Sequence, residues 1–155
     1  MQTTTRFPKS SPITILLADD DPDDRLLLRD ALTETGAVFD LRCVNDGEEL
    51  LDYLLGRNSY AEPERAPAPG LILLDLNMPR KDGREALHDI KTNPLLRSIP
   101  VIVLTTSKSE DDILRSYSSG VNSYIAKPST FDGLVGIMQI VGRYWLQTAE
   151  LPTRG

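Results

Sequence analysis

One cysteine, one histidine, 6% aromatic residues and no lysine- or arginine-rich run leave whole classes of function without material. Cys43 has no partner for an internal disulfide, and no CxxC pair exists to hold a metal. With His88 as the sole imidazole, most zinc sites and a Ser-His-Asp triad lack their residues; His88 is expected on a helix surface. A reduced, cytoplasmic setting follows as the expectation. The formal net charge of -6 gives a nucleic-acid partner no electrostatic support. The opening stretch "MQTTTRFPKSSP" has no apolar core of the signal-peptide kind, and no later run reaches membrane-spanning length, so no membrane partner is expected. No GxGxxG follows the first apolar run and no GxxxxGK[ST] exists, which removes the usual nucleotide cradles.

What the chain does have is an alternation of short apolar runs, turns and helical patterns. Its 155 residues fit one domain, here expected over 13–146, with a flexible segment at 1–12 and an extension at 147–155. "ITILLAD" (13–19), "FDLRCV" (39–44), "LILLD" (71–75), "PVIVL" (100–104) and "SYIA" (123–126) read as strands. Asp21-Pro22 reads as an N-cap and first-turn proline of a helix that Gly36 ends. Asn45 or Asp46 can cap a second helix, whose Leu50, Leu51, Leu54 and Leu55 share a face. Residues 56–70, with three prolines and two glycines, form a long exposed connection. "REALHDIK", "SEDDILRSYSSG", with capping-box spacing from Ser109 to Asp112, and residues 131–145 complete five helices. Five alternating strand–helix units imply a doubly wound α/β fold: a parallel sheet covered on both faces.

Ligands of such sheets bind at the carboxyl ends of the strands, where strand order reverses. Those ends carry Asp19 and Asp20, Asp75, Thr105 and Thr106, and Lys127. Carboxylates brought this close need a cation, and an open site of hard oxygen ligands favours Mg2+. Asp19, Asp20 and Asp75 could hold it, with a backbone carbonyl near Asn77. Asp75 is placed to accept a phosphoryl group covalently, with Lys127 and the Thr105 hydroxyl on its oxygens.

With these residues in order, the chain resembles the receiver domain of two-component response regulators, the CheY-like fold. "ILLADDDPDD", "LILLDLNMPRKDG", "PVIVLTTS" and "SYIAKPS" carry the resemblance over residues 13 to about 145. It implies strand order 2-1-3-4-5 and Asp75 as phosphoacceptor. It further implies Asp19 and Asp20 as the acidic metal pair, Asn77 as a carbonyl ligand, Thr105 as the switch hydroxyl and Lys127 as the phosphate contact. Tyr124 stands at the aromatic switch position, Met78 and Thr106 at positions that modulate the site, and a cis peptide is implied at Lys127–Pro128. The partner implied is a sensor histidine kinase. The long 56–70 loop, "LTTS" and "LRSIP" are similar to the regulators paired with bacterial phytochromes. The expected role is signalling by a changed contact surface, with at most slow self-dephosphorylation; "LQTAELPTRG" is too short for an output domain.

Other readings stay open at this stage. A haloacid-dehalogenase-type phosphatase would use the Asp19–Asp21 spacing, although Asp23 stands where its motif has Thr or Ser. A pseudo-receiver would bind a partner without phosphorylation. The last helix also raises a question of assembly. Phe131, Leu134, Val135, Met138, Val141 and Trp145 form its core arc, and Ile137, Ile140 and Tyr144 widen the apolar surface to roughly 220°, where one sheet face needs little more than 100°. A homodimer through this helix and the extension is the expectation.

Overall fold

The strands of the fold are runs of four to six residues, too short to be helices, and a side-chain oxygen of Asp, Ser or Thr caps the helix that follows each one. The computed structural model describes residues 12–152, so residues 1–11 of the expected flexible segment and the last three of the extension lie outside the described residues. The strands β1 (Ile13–Ala18), β2 (Phe39–Val44), β3 (Leu71–Leu74), β4 (Val101–Thr105) and β5 (Ser123–Ala126) pair in parallel in the order β2-β1-β3-β4-β5. The helices α1 (Pro22–Glu34), α2 (Gly47–Leu55), α3 (Gly83–Thr92), α4 (Glu110–Ser119) and α5 (Phe131–Val141) follow them in turn. The strand order therefore reverses between β1 and β3.

Alternation along the strands splits the core in two. Leu16, Ala18, Ile72, Leu74, Val101 and Val103 face one side, packed with Leu50 and Leu51 of α2 and Ala86, Leu87 and Ile90 of α3. Ile15, Leu17, Leu71, Leu73, Ile102 and Leu104 face the other, packed with Leu28, Ala31 and Leu32 of α1 and Met138 and Val141 of α5. Both faces of β1, β3 and β4 are thus dry, which is why their runs are apolar but for the buried Thr14 and Thr105. At the edge, every residue of β5 keeps partial exposure.

Most helix starts match the expected chemistry. Asp21 accepts from the Asp23 N–H ahead of Pro22, and Asp46 accepts from the Glu49 N–H at the start of α2. Ser109 accepts from the Asp112 N–H, but the expected reciprocal half of that box is absent: the Asp112 carboxylate turns away to Arg84 and Ser107. A charged, bidentate acceptor role outcompetes a single bond to an exposed N–H. The 56–70 connection is mostly exposed but tied down. It forms two short 3₁₀ turns, Asn58–Tyr60 and Pro63–Arg65, and Tyr60 donates to Glu49 at 2.6 Å while Tyr53 donates to the Pro67 carbonyl at 2.8 Å.

Four expectations need correction. Three strands shift by one residue: β1 and β3 end one residue early, before Asp19 and Asp75, and β4 runs Val101–Thr105 rather than 100–104. No cis peptide occurs among the described residues, so Lys127–Pro128 is trans, the isomer an X-Pro amide favours by about 0.5–1 kcal/mol. The last helix does not stop at 145: α5 passes at Gly142 into a wider π-helical segment, Gly142–Thr148. Trp145 packs against the second core face, where the core arc had it, and Leu146 of the same segment joins it. Phe131, expected in the core, is 38% exposed at the helix start, and Ile137, expected outside, packs partly inward. The surplus apolar stripe shrinks to Ile140 and Tyr144, 67% and 52% exposed. Part of the extension folds back, since Leu151 reaches Gly70 beside Ile13 at the amino end of the sheet.

Candidate functional site

Three parallel strands deliver the site by ending in step. Asp19 follows β1 and donates its N–H to the Val44 carbonyl, Asp75 follows β3 and donates to Ala18, and Lys127 follows β5 and donates to Thr105. These backbone bonds fix the level at which each side chain leaves the sheet. The loop after Asp75 is held by its own glycine. Gly83 donates to the Leu76 carbonyl at 2.9 Å, and any Cβ there would overlap the Asp75 carbonyl oxygen. The "KDG" of the sequence thus buys close approach of α3 to the site.

Asp19 is 2% exposed, Asp75 8% and Thr105 0%, while Asp20 faces solvent at the rim. One carboxylate oxygen from each of Asp19, Asp20 and Asp75 lies within 4.8 Å of the others. Thr105 Oγ1 donates to Asp75 Oδ1 at 2.9 Å, and the Asn77 N–H donates to the same oxygen at 3.1 Å. Lys127 Nζ donates to Asp19 Oδ2 at 2.9 Å, to Asp24 Oδ2 at 3.3 Å and to Asp75 Oδ2 at 3.4 Å. The expected set, namely Asp19, Asp20, Asp75, Thr105 and Lys127, is assembled in one crevice at the β1/β3 switch point.

The charges do not balance. Burial raises the Asp19 carboxyl above its ordinary range, and the Asp21 N–H and Lys127 only partly offset it. For Lys127 burial opposes the charge, but the hydrogen bond to Asp19 and the charges of Asp19, Asp75 and Asp24 outweigh it, so its ammonium is held more firmly than usual. Burial dominates at Asp19, with the Asp75 charge a smaller addition, whereas at Lys127 the surrounding carboxylates win over burial. The donor set of hard oxygens with an open, solvent-facing side fits a divalent cation.

The remaining expected residues are less central. The Asn77 side chain is exposed, and its N–H is the group tied to Asp75. Thr106 is exposed at the rim. Met78, expected to modulate the site, is 7% exposed and packs in the core with α2 and α3. Tyr124 lies partly buried, its hydroxyl donating to the Ser107 carbonyl at 2.9 Å and its N–H to the Tyr117 hydroxyl at 3.1 Å. His88 is exposed on α3, as expected, and Cys43 is half-buried.

Sequence reasoning missed the contacts of four neighbours. Asp24 was visible in the acidic cluster but not assigned to Lys127. Arg25 donates to the Asp19 carbonyl at 2.8 Å, bracing the strand end from α1. Arg84 and Asp112, 28 residues apart, form a two-pronged ion pair at 2.7 Å in each prong, for which no local pattern exists.

Comparison with known proteins bears on the same residues. The family model described as the response regulator receiver domain matches residues 15–139. Response regulator Rcp1 of Synechocystis sp. is 42% identical over 141 residues, covering 91% of this chain and 94% of Rcp1. The crystal structure of its Mn2+-bound form superposes with a TM-score of 0.83 over 92% of this chain and all of that one. The phosphorylated cyanobacterial phytochrome response regulator RcpA is 43% identical, with a TM-score of 0.85 over 92% of this chain and all of its own. The response regulator RPA3017 in red light signaling of R. palustris is 40% identical, with a TM-score of 0.86 over 92% of this chain and 99% of its own.

Proposed function

The chain belongs to the response regulator receiver domain family, related to phytochrome-associated regulators, and we propose from that premise that Asp75 is its phosphoacceptor. It is a CheY-like domain and not a classical enzyme. The donor on this reading is a phosphohistidine of a sensor histidine kinase. A carboxylate oxygen of Asp75 bonds to phosphorus as the P–N bond breaks; the imidazole nitrogen keeps the electron pair and takes a proton. Asp19, Asp20 and Asp75, with the Asn77 carbonyl, would hold Mg2+, which supplies positive charge to phosphoryl oxygens when bound. Lys127 supplies a second positive charge, and Thr105 leaves Asp75 Oδ1 to hydrogen-bond the phosphoryl group. The single observation that carries the reading is the meeting of three carboxylates, the Thr105 hydroxyl and the Lys127 ammonium at one strand-end crevice.

The decisive experiment is incubation with acetyl phosphate, followed by intact mass. The parent protein gains one phosphoryl group when Mg2+ is present; the gain disappears in excess EDTA and in Asp75→Asn. An undiminished gain in either case would sink the reading, and no gain in the parent would favour a pseudo-receiver.

For the switch, Thr105 moving onto the phosphoryl group alters the turn that Tyr124 already touches through the Ser107 carbonyl. Affinity for the partner that does not differ between the free and beryllofluoride-bound forms argues against this step. The kinase proposed is a bacteriophytochrome, on the likeness to RcpA and RPA3017. Ile140 and Tyr144 support a homodimer through the last helix; a monomeric mass by light scattering at micromolar concentration removes it. The described residues include no helix long and apolar enough to cross a membrane, and a cytoplasmic setting is proposed with the kinase.

A further inference from the structure

A closed ring of contacts runs around the outside of the crevice. Thr105 Oγ1 donates to Asp75 Oδ1, which is the short way from β4 to β3. The long way leaves by Ser107, two residues after Thr105, whose Oγ donates to Asp112 Oδ2 at 2.6 Å. Asp112 is gripped at both oxygens by Arg84, through Nε and Nη2 at 2.7 Å each. Arg84 Nη1 then reaches the Leu76 carbonyl at 3.5 Å, one residue after Asp75. The ring therefore returns to the strand it began on.

The Asp112 carboxylate is built for this place. It is 9% exposed in the first turn of α4, and Arg84 and Ser107 hold its carboxyl well down, to about 2. Arg84 has a second acidic neighbour, Asp82 at 3.6 Å, but that contact is longer and uses only Nη1. Above the ring the Tyr124 hydroxyl takes the Ser107 carbonyl, so both the side chain and the backbone of Ser107 are held. Neither Arg84 nor Asp112 touches Asp75, and neither belongs to the metal set.

We propose that Arg84 and Asp112 are positioning residues for the phosphoryl transfer: through Ser107 they set the height of the β4–α4 turn, and with it the Thr105 hydroxyl. The inference rests on Asp75 and Thr105 acting as stated above. An ion pair fits the task because its two-pronged geometry fixes direction as well as distance, which one neutral hydrogen bond to a mobile turn does not. The pair also links α3, α4 and both strand ends, so a shift of Thr105 on phosphorylation is passed to α4 through a stiff connection.

A double-mutant cycle on the full chain tests it. The phosphoryl group of acetyl phosphate passes to Asp75 and acetate departs; intact mass follows the rate at saturating Mg2+ and acetyl phosphate. Asp112→Asn slows the parent by about two- to thirtyfold, the usual range for coupling through a packed network. In a Thr105→Val background it brings no further slowing, because the hydroxyl it positions is gone. Ser107→Ala, which cuts the same link without disturbing an ion pair, gives the same pattern and covers the case in which Asp112→Asn does not fold. An unchanged rate in the parent overturns the proposal while leaving the phosphoacceptor reading intact. Equal slowing in both backgrounds also overturns it, since that is what general loosening of the fold produces. A Thr105→Val protein as fast as the parent overturns the role of Thr105 and this inference with it.

Discussion

Asp19 and Asp112 are the same residue type, both nearly out of water, and their carboxyls move in opposite directions. Asp19, at the end of β1, is pushed up by burial among other carboxylates that share one lysine. Asp112, at the start of α4, is pulled down to about 2 by a two-pronged arginine and a serine hydroxyl. Burial raises a carboxyl unless partners supply more than water did. At Asp112 they do, and the group is finished. At Asp19 they do not, and the crevice remains short of positive charge. The contrast separates a carboxylate whose partners are complete from one in a cluster that still fits a divalent cation.

The largest effect should come from breaking the finished pair. Asp112→Ala leaves Arg84 and Ser107 without their acceptor, and urea unfolding should show a loss of about 3 kcal/mol, the low end for a severed buried pair because Arg84 is partly solvated. Next is the unfinished one. Mg2+ at a hundredfold over its Kd should stabilise the parent by about 2.7 kcal/mol, and much of that gain should vanish in Asp19→Asn. A full gain in that variant would detach Asp19 from the metal.

Acid sharpens the comparison further. Asp112 has a folded value below its ordinary one, so its contribution is fully present above about pH 4 and is lost as pH falls toward 2. Roughly 2 kcal/mol should disappear across that window in chemical unfolding, and Asp112→Asn should flatten the slope. Asp19 has the opposite sign. Its raised carboxyl opposes folding when ionised at neutral pH, and the opposition fades as pH falls through the folded value. The smallest effect is therefore a gain: in EDTA at pH 7, Asp19→Asn should raise Tm by about 1–3 °C. A fall in Tm would mean that Lys127 and the Asp21 N–H already satisfy Asp19.

How much of this was legible in the chain differs between the two carboxylates. Asp19 ends a continuous apolar run, and its acidic companions follow within five residues, so both its strand-end position and its surplus charge could be read in line. Asp112 was read as part of a local cap, and its N–H does bond Ser109. Its side chain was misassigned because Arg84 lies on another helix. On the last helix the 100° wheel placed Leu134, Val135, Met138, Val141 and Trp145 toward the core and missed at Phe131 and Ile137, because it carries the period of one helix but not the shape of the surface that helix packs on.

Legible in the chain alone were five strands to within a residue, the N-caps of most helices and the five groups that meet at the strand ends; the order of the strands came with the family resemblance. Apolar runs of strand length and capping residues act through neighbours in the chain, and a parallel sheet brings the carboxyl ends of all its strands to one edge. Tertiary structure alone decided which carboxylates are satisfied. That depends on the number of donors delivered by elements far apart in the chain: one shared ammonium for Asp19, and a guanidinium fork from α3 for Asp112.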